Sequence, residues 1–580
     1  MSSSDKSGAG DFRNLPPYRG RRFVPSVADL GRVEQVVALY EKLLSREIGS
    51  SEALEAWVLD RSELSAAFTQ EGAIRYIAMT CQTDDAERAA DYRHFVEKVQ
   101  PAIEPLSDEL DRKYLADRER FRIDERRYQV YDRGIRADVS LFRQENVPLQ
   151  TEVALLAQEY QTLCGAMTVE FRGQERTLPQ MKKFLLEPDR ALREAAWRAT
   201  AQRRLADRDR LEELFGKMLD LRNRIAANAG CADYRDYVFR NYHRFDYTPA
   251  DCARYHEAVE AHVVPLWRQI LTERRSRMRL DALRPWDTAV DPEGRPPLAP
   301  FETVDELMAG AHEIFTRTDP VLGRQFDDMR RLGLLDLASR KGKAPGGYQS
   351  TLNEAREPFI FMNAVGTDDD VRTLLHEGGH AFHALAAADE PLLSYRHAPM
   401  EFCEVASMGM ELLADDHLDV FYQGPDLLRS RREHLETIVS LLPWIATVDA
   451  FQSWIYTHPG HTADERRQAW LQVHERFSPG AVDWSGLDEE HGYLWHRQLH
   501  IFEYPFYYIE YGIAQLGALG LWVRARQEGR KALADYRGAL ALGGSRPLPE
   551  LFAAAGLTFD FSARTVQPLV GAVADELGRL

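Results

Sequence analysis

Apolar residues recur every three to four positions over most of the chain, which is the spacing of amphipathic α-helices. The stretches with this spacing are residues 30–44, 52–74, 85–113, 119–141, 189–227, 249–278 and 301–335. A loop rich in proline and glycine, residues 284–300, interrupts the pattern. The chain is therefore predicted to be mainly helical.

Patterns typical of strands are few. Residues Thr168–Phe171 alternate between polar and apolar side chains and precede Arg172–Glu175, which predicts a turn into a short hairpin. Pro179 follows where a helix can begin, because proline is favoured in the first helical turn. Farther along, Gly346–Ser350 precedes Pro358–Asn363, a compact apolar run with the length of a strand.

The composition is that of an ordinary soluble globular protein, with 44% hydrophobic and 28% charged residues. A length of 580 residues is ample for a large core. The formal net charge of −18 argues against nucleic acid or an anionic membrane as the main partner. Residues 1–20 are rich in Ser, Gly and Pro and are expected to form a disordered tail.

The cellular location is expected to be cytoplasmic. The N-terminal stretch lacks the apolar segment of a secretory signal, and no apolar run is long enough for a transmembrane span. The five cysteines are scattered without CxxC spacing, which indicates neither a disulfide framework nor a cysteine–zinc site. Scattered cysteines of this kind are typical of reduced thiols in the cytosol.

The motif richest in chemistry lies in residues 368–385, DDDVRTLLHEGGHAFHAL, which are predicted to form one helix. Residues four apart share a helix face, so His376 and His380 can direct their imidazoles to one ion. Glu377 projects beside that ion without having to bind it. Metal-assisted peptide hydrolysis needs such nitrogen ligands, an open position for water, and a carboxylate that accepts the water's proton.

Other residues of this segment bear on the helix prediction. Thr367 or Asp368 can cap the N-terminus, and acidic residues in the first turn favour a helix. Gly378 and Gly379 each disfavour a helix by about 0.5–1 kcal/mol relative to Ala, which indicates that another helix or the substrate packs too closely for a Cβ. The alternative interpretation is a buried amphipathic helix whose two histidines have hydrogen-bond partners.

A third metal ligand is expected from residues 400–413, a second predicted helix that carries Glu401, Glu404 and Glu411 among apolar side chains. Buried carboxylates need partners, so one should bind the metal and another should orient a ligand histidine through its free ring N–H. Spacing alone does not choose between them. A purely structural metal site would need a closed fourth ligand, usually cysteine, but Cys403 would project in a different direction from its neighbour Glu404.

Residues 495–511, WHRQLHIFEYPFYYIEY, concentrate histidine and tyrosine. One interpretation is an aromatic core segment. The functional interpretation is that a hydroxyl and an imidazole donate hydrogen bonds to the oxyanion of a tetrahedral intermediate, and such donors contribute about 3–4 kcal/mol each. On one continuous helix, His500 and Tyr511 would share a face with Tyr504 and Tyr508 near it. Pro505 weakens this hypothesis because proline kinks or breaks helices.

The apolar run Pro358–Asn363 ends a few residues before the HEGGH helix. In a zinc peptidase, an edge strand beside that helix can pair with an extended substrate backbone and hold the scissile bond over the metal. An internal strand of a small sheet is the alternative. The position of the run beside the helix favours the edge strand.

Several motifs occur together and in order: GGYQS, PFIFMN, the HEGGH helix followed by Ala381-Phe382-His383, EVASMGME and HIFEYPFYYIEY. The set resembles the M3 family of zinc metallopeptidases, specifically the bacterial oligoendopeptidase F branch. Upstream segments at 61–65, 145–149 and 167–178 are similar to that branch as well. The resemblance extends over residues 25–570.

The resemblance implies a mainly α fold, a two-lobed helical metallopeptidase with a deep central channel and a small β-sheet near the HExxH helix. After the tail, residues 21–190 would form an N-terminal helical region that is part of the channel wall. Residues 191–580 would form the catalytic peptidase domain. Such a channel admits short, unstructured peptides and excludes folded proteins.

The resemblance also implies one Zn²⁺ per chain, bound by His376, His380 and Glu404, with Glu377 as the general base. Glu411 is the residue expected to orient a ligand histidine. Gly378 stands where many relatives carry a bulkier apolar residue, a departure that leaves the metal ligands intact but affects local packing.

On the substrate side, His500, Tyr508 and Tyr511 match the family's catalytic His and Tyr residues, and Tyr511 matches the tyrosine that stabilises the transition state. The residues expected to bind substrate are Gly347, Tyr348, Phe361, Asn363 and Tyr504. The sequence thus predicts a zinc endopeptidase whose partners are oligopeptides. The alternatives are a metallo-exopeptidase of carboxypeptidase type and a catalytically silent peptide-binding protein, which would have no need of Glu377.

Overall fold

The helical pattern of the sequence is confirmed by the computed structural model, which describes Phe12, Leu15 and residues 20–580. Most of the tail expected at residues 1–20 lies outside the described residues. Within the described part of the chain, strands are confined to two small sheets.

The helices of the first half are α1 (Val33–Leu44), α2 (Ser51–Cys81), α3 (Ala86–His94), α4 (Gln100–Arg120), α5 (Glu125–Leu141), α6 (Asn146–Gly165), α7 (Leu178–Met181), α8 (Arg190–Ala206), α9 (Arg208–Asn228), α10 (Tyr234–Asn241), α11 (Pro249–Ala258) and α12 (Val264–Arg277). The helices of the second half are α13 (Val304–Thr318), α14 (Pro320–Arg331), α15 (Asp368–Ala386), α16 (Leu393–Arg396), α17 (Met400–Ala414), α18 (Pro425–Thr457), α19 (Ala463–Phe477), α20 (Asp488–Gly492), α21 (Leu499–Phe502), α22 (Tyr508–Glu528), α23 (Arg530–Leu540), α24 (Leu548–Ala554) and α25 (Ala563–Leu577).

Shorter helical segments and strands complete the secondary structure. The π-helical segments are Phe95–Val99 and Val259–Val263, and the 3₁₀ segments are Lys182–Leu186, Pro285–Asp287, Asp415–Val420 and Leu494–Arg497. The strands are β1 (Thr168–Phe171), β2 (Gln174–Thr177), β3 (Leu335–Ala338), β4 (Tyr348–Leu352) and β5 (Glu357–Ala364).

The predicted helical stretch 301–335 is divided into α13 and α14. Asp319 between them is extended, and its side chain accepts a hydrogen bond from the backbone N–H of Val321. Pro320 begins α14, because proline has no N–H with which to continue the preceding helix. The apolar spacings of two consecutive helices merge in the sequence, so periodicity alone does not locate the break.

The short hairpin is confirmed. Strands β1 and β2 pair antiparallel with Phe171 opposite Gln174, which leaves Arg172 and Gly173 as a two-residue turn. Both turn residues have positive φ, 56° and 73°, which suits the twist of a tight hairpin. Pro179 lies in the first turn of α7, where the sequence places it.

The second sheet corrects the interpretation of Pro358–Asn363. Its strand order is β3-β5-β4, with β5 parallel to β3 and antiparallel to β4. The run lies in β5 and is therefore a central strand, so the edge-strand prediction is wrong. Residues 359–362 are at most 1% exposed, as is typical of a strand covered on both faces. The edges of this sheet are β3 and β4.

The chain divides into two units. Unit 1 comprises the residues up to Val139, Ala299–Leu427 and Gly517–Phe559, and unit 2 comprises Ser140–Leu298, Leu428–Leu516 and Asp560–Leu580. Unit 1 contains the three-stranded sheet, α15 and α17, whereas unit 2 contains the hairpin and residues 494–511. The contiguous regions expected at 21–190 and 191–580 stay a prediction.

Helix α18 is the one described helix that is long and apolar enough to cross a membrane. Of its apolar window, 67% is buried inside the protein. Its side chains Leu442, Ile445 and Phe451 are at most 1% exposed. The apolar composition of α18 is therefore that of a core helix.

Candidate active site

Helix α15 begins at a capping box. The Thr367 hydroxyl accepts a hydrogen bond from the Asp370 N–H at 3.3 Å, and the Asp370 carboxylate accepts one from the Thr367 N–H at 2.8 Å. The same carboxylate also accepts from the N–H groups of Val365 and Gly366. These bonds pair donors that a helix N-terminus leaves unsatisfied, and they fix where α15 starts.

Two histidines of α15 and one glutamate of α17 converge inside unit 1. One ligand atom from each of His376, His380 and Glu404 lies within 4.8 Å of the other two. A Glu404 oxygen is 3.5 Å from His376 Nε2 and 3.8 Å from His380 Nε2. Among the described residues, this is the group of His, Cys, Asp and Glu side chains whose donors are spaced to hold a metal ion. Two imidazoles and one carboxylate form a donor set that zinc enzymes use.

Glu411, about two turns along α17 from Glu404 and on the same face, orients His376. Its carboxylate is 2.7 Å from His376 Nδ1, which leaves Nε2 directed towards Glu404. Burial opposes protonation of His376, but the hydrogen bond and charge of Glu411, with Glu404 and Glu377, raise its pKa to about 9. A bound cation would replace that proton, because metal ligation requires neutral imidazole.

Burial favours the uncharged form of both remaining ligand candidates, His380 and Glu404. Burial lowers the pKa of His380 well below its usual value, so its imidazole is neutral. Burial also raises the pKa of Glu404, against the charge of His376 and a hydrogen bond from the Ser407 hydroxyl at 3.1 Å. Glu401, the third carboxylate considered from the sequence, is 3% exposed and is not part of the convergent group.

Glu377 is 7% exposed and lies in the same helix as the two histidines. Burial raises the pKa of its carboxyl to about 7, and the charge of Glu404 adds to the rise, while the charge of His376 opposes it. The backbone N–H of Gln349, in the edge strand β4, donates a hydrogen bond to this carboxylate. A carboxyl whose pKa is near neutrality is suited to proton transfer.

The two glycines of the HEGGH segment mark close packing on two sides of α15. A Cβ on Gly379 would lie 2.6 Å from the Ala406 carbonyl oxygen and from Ser407 Cα, both in the backbone of α17. A Cβ on Gly378 would lie 2.6 Å from the ring of Phe315 in α13. The close approach expected from the sequence is thus confirmed, and the neighbours are helices. It brings Glu404 within reach of the α15 histidines.

In unit 2, the His and Tyr side chains of residues 495–511 gather without a continuous helix. The His500 ring centroid lies 4.8 Å from that of Tyr508, 5.9 Å from that of Tyr511 and 6.4 Å from that of Tyr504. Tyr507 also joins the group, at 5.9 Å from His500 and 5.3 Å from Tyr511. Burial lowers the pKa of His500 to about 4, so it is neutral at pH 7.

The break between α21 and α22 is held by buried polar groups. Phe506 has a positive φ of 66°, which a helix does not contain. Its carbonyl accepts from the Arg244 guanidinium at 2.6 Å, and its N–H donates to the Gln452 side chain at 3.1 Å. Arg222 donates to the carbonyl of Phe502 just before the break. The hypothesis of one helix through His500 and Tyr511 is therefore wrong, although the rings still cluster.

Two residues that the sequence did not single out position this cluster. The Gln498 side-chain amide donates to His500 Nδ1 at 2.8 Å, and the Gln498 carbonyl accepts from the Trp444 indole N–H at 3.0 Å. The Gln498 and Trp444 side chains also hydrogen-bond to Tyr508. Burial is the main cause of the raised pKa of Tyr508. Trp444 lies in α18, far away in sequence, so no local pattern could have revealed the contact.

The residues predicted to bind substrate differ in accessibility. Tyr504 is 51% exposed, and Gly347 precedes β4. Phe361 is fully buried, and its ring centroid lies 4.7 Å from that of Tyr348 in the neighbouring strand β4. The side chain of Phe361 is therefore covered by the stacked Tyr348 ring. The Asn363 side chain donates to the carbonyls of residues 344 and 346 and holds the segment that leads into β4.

Two family profiles match this chain. The sequence profile of peptidase family M3 matches residues 184–569, a range that contains both clusters. The profile of the peptidase M3 N-terminal domain matches residues 31–142.

Individual relatives agree with these profiles. The chain is 24% identical to oligopeptidase PepF of Bacillus subtilis (strain 168) over 39% of this chain and 34% of the relative. Alignments to four curated relatives span only 22–41% of their lengths. Among solved structures, the chain is similar to PZ peptidase A with an inhibitor, at 27% identity and a TM-score of 0.86, covering 96% of this chain and 99% of that one. It is also similar to a structure provisionally assigned as an oligoendopeptidase F, at 28% identity and a TM-score of 0.86, covering 97% and 99%.

Proposed function

Because the chain belongs to peptidase family M3, we propose that it is a zinc-dependent endopeptidase that hydrolyses short, unstructured oligopeptides. The observation that carries the proposal is the convergence of His376, His380 and Glu404 with Glu377 beside them. We further propose that the protein acts in the cytoplasm, and that residues 21–190 and 191–580 are its N-terminal region and catalytic domain.

The metal ligands we propose are His376, His380 and Glu404. Three donors of this chemistry suit zinc and leave a position open for water, as catalytic rather than structural zinc sites do. The Glu411 carboxylate on His376 Nδ1 supports the assignment, since ligand histidines usually donate their other ring N–H to a carboxylate or carbonyl. When bound there, zinc would supply Lewis-acid polarisation and would lower the pKa of water.

Glu377 is the proposed general base. Its carboxylate would accept a proton from the attacking water and later deliver that proton to the leaving amine. Burial keeps its pKa near 7, so the same group can hold and release a proton at neutral pH. The N–H of Gln349 fixes one direction of the carboxylate, which leaves the rest of its hydrogen-bonding capacity for the water.

His500, Tyr508 and Tyr511 are proposed to act on the substrate carbonyl. Neutral His500 and a tyrosine hydroxyl are both hydrogen-bond donors, and such donors stabilise an oxyanion better than they stabilise the ground-state carbonyl. The proposal is supported by the family resemblance and by the grouping of these rings inside unit 2. Gln498 would fix the ring orientation of His500 through Nδ1.

The substrate backbone is proposed to pair with β4. This strand lies at the edge of its sheet, contacts Glu377 through the Gln349 N–H, and follows directly after Gly347. An edge strand offers unpaired backbone groups to an extended peptide. We therefore assign to β4 the pairing with substrate that the sequence analysis predicted for Pro358–Asn363.

The test is cleavage of an internally quenched peptide blocked at both ends, with chelator and then with added zinc. We expect cleavage that the chelator abolishes and zinc restores. The same peptide without blocking groups is tested in parallel. An exopeptidase would leave the blocked peptide intact but would shorten the unblocked one. Zinc binding without cleavage of either peptide would indicate a silent peptide-binding protein and would overturn the proposal.

A further inference from the structure

Unit 2 contains a cavity of about 240 Å³ whose wall includes four tryptophans. These residues are Trp197, Trp267, Trp444 and Trp484, which come from four separate parts of the chain. Each is half-buried, so part of every side chain is exposed. A tryptophan ring offers a large apolar surface, and covering that surface with an apolar or aromatic group is favourable. The cavity is therefore shaped for a ligand with an apolar or aromatic part.

One cation also lines this cavity. Arg497, at the end of the 3₁₀ segment Leu494–Arg497, is exposed, and its guanidinium carbon lies 5.0 Å from the centroid of the Trp444 ring. Within residues 20–580, no acidic side chain forms an ion pair with Arg497, and no group forms a hydrogen bond with it. Its five N–H donors are thus available to a ligand.

The charge around Arg497 is uniformly positive or neutral. The residues of the described chain that line the cavity include no Asp or Glu, although the protein carries a net charge of −18. Desolvation by the protein atoms around the guanidinium, together with the charge of Arg204, lowers the pKa of Arg497 to about 10, so Arg497 is charged at pH 7. His474, also in the wall, has its pKa lowered to about 3 by burial and by the charges of His491 and Arg497, so it is neutral. A cation in such surroundings favours an anionic ligand.

The cavity adjoins the His500 cluster within unit 2. Trp444 lines the cavity with its ring and donates its N–H to Gln498, which in turn donates to His500. Arg497 immediately precedes Gln498 and lies near Tyr508. A ligand seated against Trp444 and Arg497 would therefore lie beside the groups proposed to act on substrate.

We propose that this cavity binds the C-terminal residue of a peptide, with Arg497 pairing with the free α-carboxylate and the tryptophans enclosing an aromatic or large aliphatic side chain. A guanidinium matches a carboxylate with two parallel hydrogen bonds, and this pairing needs the charge as well as the planar shape. The choice of a peptide rests on the proposed function. A neutral apolar ligand would leave Arg497 unpaired, and a doubly charged phosphate would meet only one lining cation.

The test compares two peptides that differ only at the C-terminus, one ending in phenylalanine with a free carboxylate and the other in phenylalanine amide. Binding is measured by calorimetry to the full chain carrying Glu377→Gln, so that neither peptide is consumed. We expect the free acid to bind at least about tenfold more tightly, in the range of a charged hydrogen-bonded pair. Tryptophan fluorescence should change on binding of the acid.

Three further variants, each made in the Glu377→Gln chain, show whether the difference between acid and amide depends on Arg497. Adding Arg497→Gln should reduce the acid-to-amide ratio to below about twofold, and Arg497→Lys should keep part of it, because lysine retains the charge but not the fork. Arg530→Gln removes an exposed arginine that does not line the cavity and should keep the full ratio. Thermal unfolding of each variant checks that it is folded.

Equal affinity for acid and amide, or an unchanged ratio in Arg497→Gln, would overturn the proposal. These outcomes are independent of catalysis, because binding is measured on the Glu377→Gln chain. Failure of the active chain to cleave any peptide would overturn the proposed function, and a retained acid-to-amide ratio would then still assign the cavity to peptide carboxylates.

Discussion

The two candidate clusters are assembled in different ways. In unit 1, His376, Glu377 and His380 occupy one continuous helix, and a single neighbour, α17, supplies both Glu404 and Glu411. In unit 2, His500 lies in the one-turn helix α21, whereas Tyr508 and Tyr511 belong to α22 beyond a residue with positive φ. The first cluster follows from the geometry of a helix and its neighbour. The second depends on side chains far away in sequence, whose hydrogen bonds stabilise the break between α21 and α22.

This difference shows where each cluster is sensitive. The metal-binding group depends on the distance between two helix backbones, which Gly379 sets by direct contact with residues 406 and 407. The His500 group depends on buried hydrogen bonds from Arg244, Gln452 and Gln498. Substitutions of the proposed ligands in unit 1, and of their partner Glu411, should therefore change metal content. Substitutions in the His500 group of unit 2 should change turnover while metal content stays constant.

The largest effect is expected from His380→Gln. Loss of one of three proposed ligands should reduce bound zinc to a small fraction of one per chain and reduce peptide cleavage to background. Zinc content is measured by elemental mass spectrometry after dialysis, alongside cleavage of the quenched peptide. His397→Gln removes a histidine outside the ligand group and should retain zinc. Full zinc content in His380→Gln would refute the ligand assignment.

Glu377→Gln should lower kcat by about 10²–10⁴ because general base catalysis contributes that much. Zinc content should stay at the level of the unsubstituted chain, since Glu377 is not a proposed ligand. The matched control is Glu357→Gln, a half-buried carboxylate at the start of β5, and it should retain activity. Turnover unchanged in Glu377→Gln would exclude the proposed mechanism.

Tyr511→Phe should lower kcat by about 10²–10³, the effect of removing one donor to an oxyanion. Zinc content and the affinity for a substrate-like inhibitor should change little, because the hydrogen bond is strongest in the transition state. Tyr493→Phe, in unit 2 but outside the His500 cluster, serves as the comparison. A loss of zinc in Tyr511→Phe would show that the His500 cluster also supports metal binding, which contradicts this prediction.

Glu411→Gln should weaken zinc binding by about 10–100-fold, as is usual when the partner of a ligand histidine is changed. The His376 ring would keep a hydrogen-bond partner but lose the charge that raises its pKa. Zinc affinity is measured by competition with a chromophoric chelator. An affinity equal to that of the unsubstituted chain would show that Glu411 does not support the ligand.

The smallest effect is expected from substituting the two adjacent glycines of α15, Gly378 and Gly379. Gly379→Ala should destabilise unit 1 by about 1–3 kcal/mol, because its Cβ would meet the backbone of α17. Gly378→Ala should cost less, since its Cβ would meet a side-chain ring, that of Phe315, and not the backbone of a neighbouring helix. Thermal unfolding midpoints of the two variants give the comparison. The reverse order would mean that α17 yields more easily than Phe315.

Much of unit 1's cluster could be predicted from the sequence, because it depends on local rules. The spacing of His376 and His380 places them on one helix face, and the adjacent glycines indicate a close neighbour. The choice among Glu401, Glu404 and Glu411 could not be made from spacing, since it depends on how α17 is rotated against α15. Likewise, the central position of β5 depends on its pairing with β3 and β4.

The sequence by itself determined the helical character of the chain, the hairpin at Thr168–Thr177, and the residues whose chemistry suits peptide hydrolysis. These follow from periodicity, turn residues and side-chain types, which act over a few positions. Only the tertiary structure decided the division of α13 from α14, the break at Phe506, and the partners Gln498 and Trp444 of the His500 cluster. Contacts between residues far apart in sequence determine these features, and a local pattern carries no record of them.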